Sequence, residues 1–164
     1  MAFHKQLKDK IISAEMAQGR MIALRGSGKK VVFTNGCFDL LHPGHVDYLA
    51  QARDLGDYLV LGLNTDASVR LLDKAPGRPY NSEKTRAQVL AGLACVDAII
   101  FFDEETPYQL IQFLEPDVLV KGNDYRVDQI AGFDLVQKRG GKVVTIPLLE
   151  GYSTTALVTK IKSH

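Results

Sequence analysis

Residues 33–45 read FTNGCFDLLHPGH, and the side chains in them able to do chemistry are two histidines three positions apart, His42 and His45, around Pro43 and Gly44. They follow an apolar run, KVVFT, that reads as a strand. Proline suits the first position of a helix, where its missing amide would have had no partner anyway. A helix opening at Pro43 presents Gly44, neighbouring amides and the positive end of its dipole to an anion. His42 then stands beside the N-cap and His45 in the first turn, so both rings reach one ligand above the helix start. Imidazoles there donate to phosphoryl oxygens, or carry charge if bound phosphate raises their ordinary pKa of about 6.5. That is electrostatic stabilisation of a transition state with no covalent nucleophile. Gly36 permits a special backbone angle or close approach of a ligand.

Competing chemistries fit less well. His42, His45, Cys37 and Asp39 are all metal-ligand types, but they lack the paired spacing of a zinc site. GSGKK precedes the strand and lacks the Walker pattern. A Pro-Gly turn beside two surface histidines also arises by chance, so spacing alone leaves that reading open.

The elements that must position this junction follow from periodicity. Leu7 to Arg25 reads as one or two amphipathic helices interrupted near Gly19. Strands are predicted at Val31 to Thr34, Tyr58 to Leu63, Val96 to Phe102, Asp117 to Val120 and Lys142 to Ile146. Between them lie a helix from Pro43, a connector over 64–81 that begins helically, and a helix capped by Ser82 with Val89, Leu90 and Leu93 on its apolar side. Further helices are predicted over Thr106 to Leu114, over Val127 to Arg139 despite Gly132, and from Ser153 or Thr154 toward Ile161. Such alternation predicts an α/β fold: a Rossmann-like, five-stranded parallel sheet with helices on both faces. Ligands of such sheets settle outside the carboxyl ends of the strands, where Thr34 to Gly44 would lie.

Composition narrows the class. Of 164 residues, 46% are apolar and 24% charged, as in an ordinary globular chain. A net charge of +1 gives no broad electropositive surface for nucleic acid. No apolar stretch approaches the roughly 20 residues that cross a bilayer, and the N-terminus has no signal-peptide pattern. Cys37 and Cys95 suit a reducing compartment, so no membrane partner and a cytoplasmic location are expected.

The stretch FTNGCFDLLHPGH resembles the signature of the nucleotidyltransferase superfamily, whose members share a histidine, any residue, glycine, histidine motif. From about residue 28 onward, GLNTDASVRLLDK, GRPYNSEKTRAQVLAGL, LVKGNDY and EGYSTTALV are similar to the adenylyltransferases that make ADP-heptose for lipopolysaccharide. The resemblance divides the chain into an N-terminal helical segment, 1–27, and a nucleotidyltransferase domain, 28–164, within one globular unit. It implies transfer of AMP from ATP to D-glycero-β-D-manno-heptose 1-phosphate, with Mg²⁺ and release of pyrophosphate. The heptose 7-phosphate kinase step, fused to this domain in many relatives, would need another chain.

By the same resemblance His42 and His45 contact ATP phosphates and stabilise the α-phosphorus transition state. Thr34, Asn35, Gly36 and Phe38 match the phosphate-binding turn, and Gly44 the helix start; Phe38 equally serves to pack the turn. Asp39 either organises Mg²⁺ or locks the loop by accepting backbone hydrogen bonds. Lys74 is the triphosphate candidate, with Arg78 and Arg86 set to orient the sugar phosphate. Lys121 would meet a phosphate, Gly122 admit the nucleotide, and Asp124 bind a sugar hydroxyl or cap a turn. Ser153, Thr154 and Thr155 offer hydroxyls at a helix start. The wider superfamily often has arginine just beyond that run; here Ala156, Leu157 and Val158 follow, and no transition-state arginine is assigned there. The alternatives are a cytidylyltransferase acting on glycerol 3-phosphate or a similar phosphorylated alcohol, and a nucleotide-binding module without turnover. The N-terminal segment packs on its own domain or builds a homo-oligomer.

Overall fold

The computed structural model describes residues 2–72 and 76–163. The elements in chain order are α1 (Phe3–Asp9), α2 (Ala14–Gly26), β1 (Val31–Gly36), α3 (Pro43–Arg53), β2 (Tyr58–Asn64), α4 (Asp66–Leu71) and α5 (Glu83–Ala91). There follow β3 (Ala98–Phe102), α6 (Tyr108–Leu114), β4 (Val118–Gly122), a 3₁₀ turn (Val127–Gln129), α7 (Phe133–Lys138), β5 (Lys142–Ile146) and α8 (Thr154–Lys162). The strands form one sheet in the order β3-β2-β1-β4-β5, and every pairing is parallel.

Strand alternation sorts the side chains into two cores. Val32, Leu59, Leu61, Leu63, Val118 and Val120 face one side, covered by Tyr48, Leu49 and Ala52 of α3 and Ala87, Leu90 and Ala91 of α5. Val31, Phe33, Val60, Ala98, Ile100 and Leu119 face the other, under Ala17 and Met21 of α2, Ile111 and Leu114 of α6, and Val136 of α7. Full burial of each such aliphatic side chain contributes roughly 1.5–3 kcal/mol, enough to set strand register and face. The N-terminal segment is thus built into the same body, since Ala17 and Met21 are completely buried.

Local differences from the sequence reading have identifiable causes. Gly19 lies inside α2 and is exposed, with nothing near its missing Cβ; the break falls instead at residues 10–13. There the chain runs beside β3: Ile99 N–H donates to the Lys10 carbonyl at 2.8 Å, and Ile12 N–H to the Ile99 carbonyl at 3.0 Å. The helix expected over 127–139 is divided, because Gly132 has φ 88° and a Cβ there would lie 2.8 Å from Ile111 Cδ1. Val89 of α5 is 49% exposed, so the apolar side of that helix is carried by Ala87, Leu90 and Ala91 instead.

Candidate active site

β1 is the strand from which the connections diverge. The crossover through α3 leads to β2 on one side, and the one through α6 returns the chain to β4 on the other. β1 pairs with β2 as far as Gly36–Leu63, but with β4 only at Val32–Val118 and Phe33–Leu119. Where β1 and β4 part, the Thr34 hydroxyl takes over from the ladder, donating to the Val120 carbonyl at 3.0 Å. Its one proton is then used, so the Tyr48 hydroxyl, 2.7 Å away, donates to it. Above this bridge opens a cleft of about 310 Å³, with Asn35 and Gly36 at the end of β1 and Lys121 and Gly122 at the end of β4. Such a switch point is where open α/β sheets bind ligands.

The histidines stand on one wall. A Cβ on Gly36 would lie 2.6 Å from the Phe38 ring, so only glycine lets that ring fold back over the strand end. Phe38 holds φ 45° and meets the His45 ring edge-on at 5.1 Å between centroids. His42 is the N-cap of α3 in extended conformation, and Pro43 fills the first helical position. The two imidazoles stack 3.7 Å apart at 22°. Burial lowers the His42 pKa from 6.5, because the charged ring would lose hydration. His42 Nδ1 and Asn35 Oδ1 are buried without a hydrogen-bond partner among the described residues, although both side chains border the cleft. Buried polar atoms are normally satisfied, so these two atoms have hydrogen-bonding capacity left over at the cleft.

A second helix start adjoins the first at the cleft. Ser153 caps α8 by accepting from Ala156 N–H at 3.0 Å, and Tyr152 lies nearly parallel to His42, 6.4 Å between centroids. Gly44 is the contact point: a Cβ there would sit 3.1 Å from the His42 ring and 3.3 Å from Tyr152 Cβ. The amino ends of α3 and α8 therefore both border one cleft, each contributing partial positive charge. Lys121 adds a full charge, its Nζ 5.2 Å from the Tyr125 ring centroid. Gly122 is held side-chain-free by Asp124 Oδ1, 2.6 Å from where its Cβ would be, and by Leu148 at 3.1 Å.

The sequence matches the family model described as cytidylyltransferase-like over residues 33–160, which includes both cleft walls. The chain belongs to the cytidylyltransferase-like family. It is 54% identical over 156 residues to the bifunctional protein HldE of Magnetococcus marinus, covering 95% of this chain and 32% of that protein. With the HldE of Syntrophotalea carbinolica the identity is 52% over 162 residues, 98% of this chain and 33% of the relative. The chain thus spans about a third of the length of the curated relatives it matches. Among solved structures it resembles the lipopolysaccharide core biosynthesis protein of Thermoplasma volcanium, with a TM-score of 0.63 and 29% identity, covering 75% of this chain and 100% of that one. It shares a fold with the pantoate-beta-alanine ligase of Francisella tularensis, TM-score 0.58 at 16% identity, over 93% of this chain and 76% of the other.

In this cytidylyltransferase-like chain the cleft brings together Asn35, Gly36, Phe38, His42, Gly44, His45, Arg78, Lys121, Gly122, Asp124, Ser153 and Thr154. Three anticipated residues are placed otherwise, and Asp39, which also lines the cleft, is spent on the loop. Thr34 is fully buried beneath the cleft floor and its hydroxyl is consumed in the β1–β4 bridge, so that hydroxyl is a structural link and the residue does not line the cleft. Arg86, expected at a sugar phosphate, is 1% exposed and donates to the carbonyls of Asn81, Cys37 and Asn64 and to Asp66, behind the wall. Thr155 is exposed on α8 outside the cleft lining. Asp39 takes the loop-locking alternative: its carboxylate accepts from Arg78 Nε at 2.7 Å, Tyr80 N–H at 2.7 Å and Asn81 N–H at 2.8 Å. With both oxygens engaged, Asp39 does not fit the Mg²⁺ role. Among the described residues no group of three or more His, Cys, Asp or Glu side chains can hold a metal ion. Lys74 lies outside the described residues.

Sequence reasoning missed Tyr48, Tyr125, Leu148, Leu149 and Tyr152, all bordering the cleft. Tyr48 was detectable, being three residues beyond His45 on the same face of α3. Burial raises its phenol pKa well above 10.0, so it remains a neutral donor. Tyr152 directly precedes the Ser153 cap, but its approach to His42 depends on two helix starts distant in sequence.

Proposed function

We propose that the chain transfers AMP from ATP to D-glycero-β-D-manno-heptose 1-phosphate, forming ADP-heptose and pyrophosphate. The observation that carries the reading is the convergence of two helix starts, stacked His42 and His45, and Lys121 on one cleft at the topological switch. Fixed amides and imidazoles of that kind suit a polyphosphate. The choice of heptose and adenine is supported by the resemblance of GRPYNSEKTRAQVLAGL and EGYSTTALV and by the HldE relatives.

In the proposed reaction a phosphate oxygen of the sugar attacks the α-phosphorus of ATP. A new P–O bond forms as the bond from the α-phosphorus to the bridging oxygen breaks, and that oxygen leaves with its electron pair in pyrophosphate. The attacking phosphate is already ionised near neutrality, so no protein base need remove a proton. The chain contributes orientation and charge stabilisation, the main demands of such transfers. The α3 amides and the imidazoles face the triphosphate; Lys121 neutralises charge across the cleft, and Arg78, paired to Asp39, stands toward the acceptor. Lys74 serves the triphosphate from the connector. Mg²⁺, when bound, would supply charge neutralisation to the phosphates, and Asp39, engaged by Arg78, Tyr80 and Asn81, would not be its ligand. Among the described residues no helix is long and apolar enough to cross a membrane, compatible with cytoplasmic substrates. A separate heptose 7-phosphate kinase acts in the same pathway.

The test is pyrophosphate release measured with ATP or CTP and with heptose 1-phosphate or glycerol 3-phosphate. Release selective for ATP and heptose 1-phosphate is expected. The His45→Ala variant should keep its melting temperature and lose about 100-fold in kcat, the scale of one preorganised transition-state donor. ATP binding without heptose-dependent release would overturn the enzymatic reading, and preference for CTP with glycerol 3-phosphate would overturn the substrate assignment.

A further inference from the structure

Arg86 heads the fully buried side chains by size, in a position where a leucine or methionine would fill space without a desolvated charge. Its planar fork is almost fully used. Nε donates to the Asn81 carbonyl at 3.0 Å, Nη1 to those of Cys37 and Asn64 at 2.8 Å each, and Nη2 to Asp66 Oδ1 at 2.8 Å. The acceptors come from separate segments: the histidine-bearing loop after β1, the end of β2, the start of α4, and the connector leading to α5. A second tie runs in parallel, because Asn81 also bonds Asp39 through its backbone N–H at 2.8 Å and its side-chain amide at 3.0 Å, and Arg78 bonds the same aspartate. Both ties join the loop that leads to His42 and the start of α3 to the loop that carries Arg78.

We propose that Arg86 is a positioning residue, fixing the spacing between the histidine wall and the Arg78 wall of the cleft so that donor and acceptor meet in line. This assignment rests on the nucleotidyl-transfer reading. Three backbone carbonyls and a carboxylate, bonded through three different nitrogens, match a guanidinium fork; a lysine, whose three donors radiate from a single atom, cannot meet them together. Arg86 touches neither substrate, so its removal should act through the histidines.

The experiment compares wild type with Arg86→Lys by thermal unfolding, imidazole NMR, binding of a nonhydrolysable ATP analogue, and turnover. Only four histidines are present, which keeps the His42 and His45 signals tractable. Expected are displaced His42 and His45 resonances in the ligand-free variant, and kcat lowered by about 100-fold, the cost of a misplacement near 1 Å. Analogue affinity should change by less than about threefold, well below the tenfold that 1.4 kcal/mol represents. Wild-type resonances with wild-type kcat would overturn the proposal. So would a loss of affinity that alone explains the slower turnover. If Arg86→Lys does not fold, Arg86→Ala titrated with guanidinium ion replaces it. Recovery of the fold together with the two imidazole resonances supports the assignment; recovery of the fold alone, or no recovery, makes Arg86 a core residue and overturns it. A wild-type protein inactive toward ATP and heptose 1-phosphate would refute the proposed reaction, while the ligand-free resonances would still decide whether Arg86 sets the wall.

Discussion

Replacing Thr34 by valine preserves the branched shape and deletes one hydroxyl at the place where β1 and β4 separate. In the native protein that hydroxyl accepts from Tyr48 at 2.7 Å and donates to the Val120 carbonyl at 3.0 Å, with Thr34 itself fully buried. The variant leaves a tyrosine donor and a carbonyl acceptor without this partner. Orphaning a buried polar group costs about 1–3 kcal/mol, and Tyr48 borders the cleft where water can reach it, so a total of about 2 kcal/mol is expected. In a protein of this size each kcal/mol moves the melting temperature by roughly 2–4 °C, giving a fall of about 4–8 °C. Binding of a nonhydrolysable ATP analogue, measured by calorimetry below the transition, should change by less than about threefold, because the hydroxyl points into the floor and not the cleft. A direct hydrogen bond to a charged phosphate would instead be worth about 1.5–3 kcal/mol, or roughly 10- to 100-fold in Kd. Affinity lost on that scale with an unchanged melting temperature would refute the placement of Thr34 beneath the site.

Other outcomes follow from the histidine wall. In the ligand-free protein the His42 NMR titration should have its midpoint below 6.5, because burial disfavours the imidazolium, and added triphosphate should move it upward. The unfolded chain binds the proton at higher pH than the folded one, so the His42 contribution to stability is complete above about 6.5 and is lost as pH falls through the folded value. A free-protein midpoint at or above 6.5 would refute this. Gly44→Ala should leave the melting temperature within about 3 °C, since alanine favours helix, yet weaken ATP-analogue binding at least about fivefold by pressing on His42 and Tyr152, 3.1 and 3.3 Å from the new methyl. Unchanged affinity would show that the α3 start tolerates a wider separation from α8.

What could be read from sequence was local. Pro43 and the Ser82 and Ser153 caps each involve neighbouring residues, and all stand where expected. The succession of strand-like and helical segments likewise identified the parallel sheet. The failures involve partners far along the chain: Thr34 depends on Val120, and Arg86 on Cys37, Asn64 and Asp66. One clue was available, since Arg86 lies one helical turn from buried Leu90 and so belongs to the inward face of α5. Thr34 similarly follows Val32 by one strand repeat and points to the same core. A charged or hydroxyl group on an inward face, far from any local partner, signals a long-range tie as readily as a ligand contact.

The strip at residues 10–12 has a further consequence at the margin of the sheet. β3 is terminal on its side, and an uncovered terminal strand invites pairing with another molecule. By occupying the outward amide and carbonyl of Ile99, the chain blocks a ready template for intermolecular association. α1 buries no residue completely, yet it leads into this strip, and proteolytic nicking before Ser13 should free the β3 edge and reduce colloidal solubility before it affects chemistry at the cleft.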